Sequence, residues 1–397
     1  MIAGVLYLTQ GARVEVFGIN FFAMRFLELA GIIRVTLRKE FSLDEINNVD
    51  RVFVFLYFYT MIVSLLHFSE FPVYRIGVTV DAIFCYFTFR GLIKDYEDLE
   101  WLLRALVALL VPFLILLFVE RLTAYNPFSI VGGSSEALWF RHGIPRCIGS
   151  FRHPDLLGTL GASFLPLYIA LAFGSPDRVK GAIGILLCLA IVWLTNSGGP
   201  VIAAAVGSGG WVFWRFRTKT SLILRCIVAL FVILALFMKA PIWYLPDKLS
   251  SITGGHGWHR SYLMDIAFKN LGKWWLCGMR ISETKDWFPY TVVSGGADIT
   301  NQYISFGIAA GLAAIGLFTL LLVRAFRTIG IALRAVRDVS SKPVEKEFIL
   351  WGLGVMLLVH VINWFGVTYY DQTSVLYYMQ LAAISSLGDV STLSGKH

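Results

Sequence analysis

About eleven apolar runs divide the chain, at 17–35, 52–70, 73–92, 101–119, 156–174, 181–196, 199–215, 221–239, 302–323, 348–365 and 373–389, and nothing constrains its fold more. A bilayer crossing takes about 20 mainly apolar residues, so eleven crossings would use about 220 residues, more than half of the 397 present. Hydrophobic residues make up 57% of the chain and charged ones 15%, against about 45–50% and about 25% in soluble domains. That balance excludes a soluble enzyme, a disordered chain and a secreted disulfide scaffold. The chain reads as an all-α polytopic integral membrane protein, one domain over 1–397. None of the runs keeps an amphipathic face beyond its ends, so they read as spans and not as surface helices. The first run is the weakest, because Arg25 and Glu28 interrupt it; three residues apart, they are expected to pair on one helix face. Residues 7–16 read as a short strand or hairpin.

The charge excess of +8 reads as topology and attraction to anionic lipid head groups, not as nucleic-acid binding. Lys and Arg of alternate loops, from Arg34 through Arg90, Arg178, Arg217 and Arg324 to Lys396, gather on one side. The short loops opposite carry almost none: Arg75 in 71–75, and no Lys or Arg in 366–371. The basic side is therefore expected in the cytoplasm with the C-terminus, and two long loops, 120–155 and 240–301, face outward. Met1 to Leu8 lacks the basic region and apolar length of a secretory signal. Cys85, Cys188 and Cys226 fall inside apolar runs; Cys147 and Cys277 lie in outer loops, either free or paired with each other. No period of 20–50 residues marks a repeat array.

The polar residues that carry chemistry crowd into the two outer loops. The first holds Arg121, Arg141, His142, Arg146, Arg152 and His153, then runs through Pro154 and Asp155 into the next span. Arginine forks match phosphate oxygens, so this loop reads either as an anion site or as a solvated loop touching lipid phosphates. The second holds Gly254-Gly255-His256-Gly257-Trp258-His259-Arg260, and 258–276 repeats apolar residues at helical spacing. That stretch is expected to lie as an amphipathic helix on the outer membrane surface, with Trp274 and Trp275 at head-group depth. Its N–H groups would face phosphate beside His259 and Arg260. His256 and His259 are spaced for a metal, but no further ligand stands at the right distance in sequence, and no metal is expected. Asp298 stands before span 302–323 either as a general base or as its N-cap. Gly307 and Gly311 read as a small-residue pair for helix packing.

These segments together resemble the O-antigen ligase and polymerase superfamily of bacterial membrane glycosyltransferases. Arg146…Gly149-Ser150-Phe151…His153-Pro154-Asp155…Gly158 is similar to the family's R-x-x-G-x-F-x-H-P-N-x-x-G, and Thr195-Asn196-Ser197-Gly198-Gly199 to its T-x-S-R-G turn. Arg260 and Gly278 resemble its outer-loop G-R…W…P-x-x-G segment; Asn301…Tyr303…Gly307…Gly311-Leu312 resembles H-N-x-Y-L…G-x-x-G-L. The likeness covers about 120–325. Two positions depart from it: Gly198 stands where the family has Arg, and Thr300 where it has His.

The resemblance implies a GT-C-like helical fold in the bacterial inner membrane, working without metal or cofactor. It implies transfer of a glycan from an undecaprenyl-pyrophosphate carrier to the hydroxyl of a saccharide or lipid-linked acceptor on the periplasmic face. On that reading Arg260, helped by Arg146 or Arg152, stabilises the leaving pyrophosphate. Asp298, then His259 or His153, takes the acceptor proton, while Asn301 and Tyr303 position the sugar. A transporter or flippase for the same lipid-linked glycans is the alternative, and it would place Arg25, Glu28, His67, Asp81 or His360 along a path through the membrane.

Overall fold

A computed structural model describes residues 1–9, 13–16, 19–66, 72–132, 134–136, 138–219, 225, 229, 232–233, 236–238, 241–244, 257–288, 292–293, 295–339 and 343–388. The helices in chain order are α1 (Ile2–Tyr7), α2 (Ala23–Leu37), α3 (Asn48–Leu66), α4 (Pro72–Leu92), α5 (Tyr96–Thr123), α6 (Pro154–Gly174) and α7 (Arg178–Leu194). They continue as α8 (Gly198–Val212), α9 (Trp258–Lys269), α10 (Leu271–Trp274), α11 (Gln302–Val339), α12 (Pro343–Asn363) and α13 (Gln372–Leu387). Among the described residues strand forms three two-stranded hairpins: β1–β2 (Arg13–Val16, Ile19–Phe22), β3–β4 (Trp139–Arg141, Ile144–Arg146) and β5–β6 (Val292–Val293, Gly296–Ala297). Among the described residues four helices, α3, α5, α6 and α11, are long and apolar enough to cross a membrane.

The apolar runs from 52 onward coincide with α3 to α8 and α11 to α13, except that 221–239 lies almost wholly outside the described residues. The first run is not one helix. Arg13 pairs with Phe22 in an antiparallel hairpin, and α2 begins only at Ala23. The hairpin thus sits further along than 7–16, where β-branched and aromatic residues alternate best with the sheet pleat. Arg25 interacts electrostatically with Glu28, but its hydrogen bonds reach across to another helix: its Nε and Nη2 donate to the two Asp81 oxygens at 2.8 and 2.9 Å. A carboxylate across the α2–α4 interface meets the planar fork in bidentate geometry, which answers the charge of Asp81 as well.

Helix α6 is the hub, buried along most of its length. Helix α7 lies on it at backbone contact: a Cβ on Gly181 would stand 2.3 Å from the Ala172 nitrogen, and one on Gly184 2.2 Å from the Tyr168 ring. Small residues permit that approach. At the end of the bundle away from the two long loops, Asp50 accepts from Arg90 Nε at 3.1 Å and from Ser385 Oγ at 2.7 Å, tying α3, α4 and α13.

Helix α11 is broken at Ala310 and Gly311, where φ is −158° and +77°. Leu312 N donates to Trp275 O at 2.7 Å, Met279 N to Ile308 O at 2.9 Å, and Ser64 Oγ to Ala309 O at 2.8 Å. The backbone groups freed by the break are thus met by neighbouring chain, as an apolar surround requires. Gly311 is therefore the break and not half of a packing pair, while Gly307 makes room for the Trp274 ring. The single surface helix expected over 258–276 is two, separated at Asn270. Trp274 is 1% exposed, and its Nε1 donates to Ala267 O. It closes a small core with Leu263, Met264, Ala267, Trp287, Phe288, Ile304 and Ile308, so this apolar face packs on protein, while Trp258, Phe268, Trp275 and Leu276 are open. Among the described cysteines, Cys147 and Cys277 are both free.

Candidate functional site

Asp155, in the first turn of α6, gathers the charged residues of both long loops. Its Oδ1 accepts from Arg146 Nη2 at 3.2 Å and its Oδ2 from Arg260 Nη2 at 3.4 Å. Arg146 arrives from the first loop because the β3–β4 hairpin sets it opposite Trp139, whose ring lies 6.0 Å from the guanidinium. The same Arg146 Nη2 donates to Ser197 Oγ at 2.7 Å, and its Nε to Thr195 O at 3.4 Å, in the turn between α7 and α8. That turn is sharp because Asn196 takes φ +45°. Arg260 arrives from the first turn of α9 and passes between two glycines. A Cβ on Gly199 would come 3.6 Å from Arg260 Nη2, and one on Gly366 2.8 Å from its Nε. Two guanidinia share one carboxylate, so the group keeps one net positive charge and spare N–H donors for an anion.

His153 is the N-cap of α6: its Nδ1 accepts from Asp155 N at 3.1 Å, and the Trp139 ring meets it edge-on at 4.7 Å. Burial above all, with Arg146 and Arg260 beside it, holds His153 below its ordinary value against the pull of Asp155 and Asp298. It is neutral at pH 7, and because Nδ1 is the acceptor, its proton sits on Nε2. His259 lies flat on the Phe288 ring at 4.3 Å. Burial, then Arg260, lower it as well, and Asp298 opposes them. Asp298 thus acts electrostatically on both histidines. It does not cap α11; that place belongs to Asn301, whose Oδ1 accepts from Ile304 N at 3.1 Å.

Asn301 and Tyr303, expected to hold a sugar, stand behind the site. Asn301 is 2% exposed and donates to Phe365 O at 3.4 Å, while Tyr303 OH donates to Val361 O at 3.2 Å and its ring packs on Phe365 at 4.9 Å. Both clamp α11 to the end of α12 and so fix the strap 364–371 that follows. Arg152 pairs with Asp371 on that strap, Nε to Oδ2 at 2.9 Å. Among the described residues no His, Cys, Asp and Glu gather in number to ligate a metal; His256 lies outside them.

Three site residues escape sequence reasoning. Asp155 is legible only as an acid at a helix start, and its role as a bridge depends on two residues distant in sequence. Gly366 and Asp371 fall in a loop that a reading by charge treats as bare. Gly366→Ala tests the strap: the added methyl displaces the Arg260 guanidinium, which is flexible enough to move without unfolding the chain. We expect melting to be unchanged and the activity that uses Arg260 to drop about tenfold to hundredfold, the cost of an ångström-scale misplacement.

No family model and no curated protein sequence matches this chain. What its fold and site define is a mostly helical protein with apolar helices of membrane-crossing length. One end of it carries a positively charged cluster beside two neutral histidines.

Proposed function

We propose that this is a bacterial inner-membrane glycosyltransferase of about eleven spans and GT-C-like architecture, with its C-terminus in the cytoplasm. It would transfer a glycan from undecaprenyl pyrophosphate to an acceptor hydroxyl on the periplasmic face, as an O-antigen or exopolysaccharide ligase or polymerase does. One observation carries the reading: Asp155 holds Arg146 and Arg260, from different outer loops, side by side. Paired guanidinia stabilise the charge that develops on a departing pyrophosphate, and in a partly dehydrated site they do so strongly. The acceptor oxygen bonds to the anomeric carbon, the bond from that carbon to the phosphate oxygen breaks with its electron pair, and a base takes the hydroxyl proton. Asp298 and His259 are candidates for that base.

The chain lacks the resemblance's arginine at Gly198 and its histidine at Thr300, and for the first of these Arg260 is a replacement. Arg260 passes beside Gly199, next to the bare turn position. The test uses the purified full-length protein in vesicles with lipid-linked glycan extracted from the cells that make it. Release of undecaprenyl pyrophosphate, with growth or transfer of the glycan, is expected. Movement of the lipid-linked glycan across the vesicle without release would replace this reading with a flippase.

A further inference from the structure

Resting on the transferase reading, the search for a base leads away from the histidines. His153 has its Nδ1 taken by the helix cap and its proton on Nε2, so the neutral ring has no lone pair to offer. His259 is packed against Phe288, and burial with Arg260 beside it makes it a weaker base than a free imidazole.

Asp371 differs from both. It stands at the N-cap of α13, where an aspartate ordinarily accepts from the helix N–H groups, yet its side chain makes no cap hydrogen bond. The carboxylate turns instead to Arg152 Nε at 2.9 Å. The residue takes φ +51° and ψ −133°, a conformation that costs an L residue about 1–3 kcal/mol. The surrounding chain holds it there. Tyr369 N donates to Gln302 Oε1 at 2.8 Å, and Gln372 Nε2 to Ser150 O and Leu8 O, each at 3.0 Å. Thr368 Oγ1 donates to Ile299 O. The strap that carries Asp371 also carries Gly366 against Arg260, and Arg152 is the residue before His153. An acid in strained backbone, diverted from capping and paired with an outer arginine, with its neighbour Tyr370 under the charge of Asp155 and Asp298 as well, is held for a purpose other than folding.

We propose that Asp371 is the catalytic base, accepting the proton of the acceptor hydroxyl while Arg152 aims its carboxylate. As the new bond from the acceptor oxygen to the anomeric carbon forms, the proton passes to the Asp371 carboxylate. The pyrophosphate leaves with the electron pair of the broken bond, and the Asp371 acid returns its proton to water. Three charged or titratable groups face this carboxyl: Arg152, the neighbouring Tyr370, and Asp81 from α4. Burial outweighs Arg152, Asp81 adds to it, and the carboxyl is pushed up to about 6, close to where a base works best at neutral pH.

The experiment measures undecaprenyl pyrophosphate release by the full-length protein in vesicles, across pH, with lipid-linked glycan from the producing cells. The wild-type rate is expected to fall tenfold per pH unit below about 6, because protonation removes the base. Asp371→Asn should lose at least about a hundredfold and the acid limb with it, while still binding undecaprenyl pyrophosphate. Asp371→Gly, which relieves the positive φ, should lose as much activity at an equal or higher melting temperature, so the loss is not one of folding. Arg152→Gln should shift the limb to higher pH. An active wild type whose Asp371→Asn and Asp371→Gly variants keep rate and limb overturns this assignment alone. So does an Asp298→Asn variant that loses both where Asp371→Asn keeps them. A wild type that releases no carrier from this donor overturns the transferase reading, and this assignment with it.

Discussion

Arg260→Ala is expected to abolish polymer formation in cells and to cut carrier release by the purified protein about a hundredfold to a thousandfold, the usual effect of removing one donor to a developing oxyanion. The protein should stay folded, and the reason lies in how Asp155 is shared. Without Arg260 the carboxylate still accepts from Arg146 Nη2 at 3.2 Å, and Arg146 keeps Ser197 Oγ at 2.7 Å. No buried charge is left alone, which is what makes broken ion pairs costly. The space that Arg260 leaves lies between Gly199 and Gly366, and water can fill it at this polar end. The net charge of the group falls from one positive to zero, so affinity for undecaprenyl pyrophosphate should drop together with turnover. Melting and glycan output in cells check the two halves separately. Unchanged glycan with Arg260→Ala would sink the assignment.

Apolar length made most of the helices legible, because a span is specified by about 20 residues of one character, whatever its neighbours are. Pairing was less legible. Arg25 has Glu28 at helical spacing, yet it donates to Asp81 on another helix, since sequence separation says nothing about which helices adjoin. Trp274 shows the same gap: amphipathic spacing identified a buried face but not whether lipid or protein would bury it. The break at Gly311 was hidden because glycine serves helix packing and helix rupture alike. At the site, the arginines and His153 were visible as residue types suited to phosphate. Their convergence was not, since Arg146 and Arg260 meet through the acid at 155, and Arg146 alone reaches the Thr195–Ser197 turn, all contacts between residues distant in sequence. Asn301 and Tyr303 were placed in the site by likeness of motif, whereas their hydrogen bonds tie α11 to α12.

Asp155→Asn separates holding the arginines from binding the anion, and its outcomes run in opposite directions. The aspartate side chain is 14% exposed, and those of Arg146 and Arg260 16% and 22%. Taking one partner from a buried pair costs about 3–5 kcal/mol; with Ser197 and Thr195 still holding Arg146, the lower figure, about 3 kcal/mol, is expected as a fall in melting temperature. The two guanidinia each bond a different carboxylate oxygen, and only one of those oxygens remains in the amide, so the pair is no longer held side by side as before and turnover should fall. Binding should move the other way. The carboxylate competes with phosphate oxygens for the same N–H donors, and its removal raises the net charge of the group from one positive to two. Undecaprenyl pyrophosphate should therefore bind more tightly to the variant, and the gain should shrink with added salt as the Debye length shortens. A purely structural Asp155 would lower stability and affinity together. Weaker binding in Asp155→Asn would show that the set of the two guanidinia, and not their net charge, governs affinity for the anion.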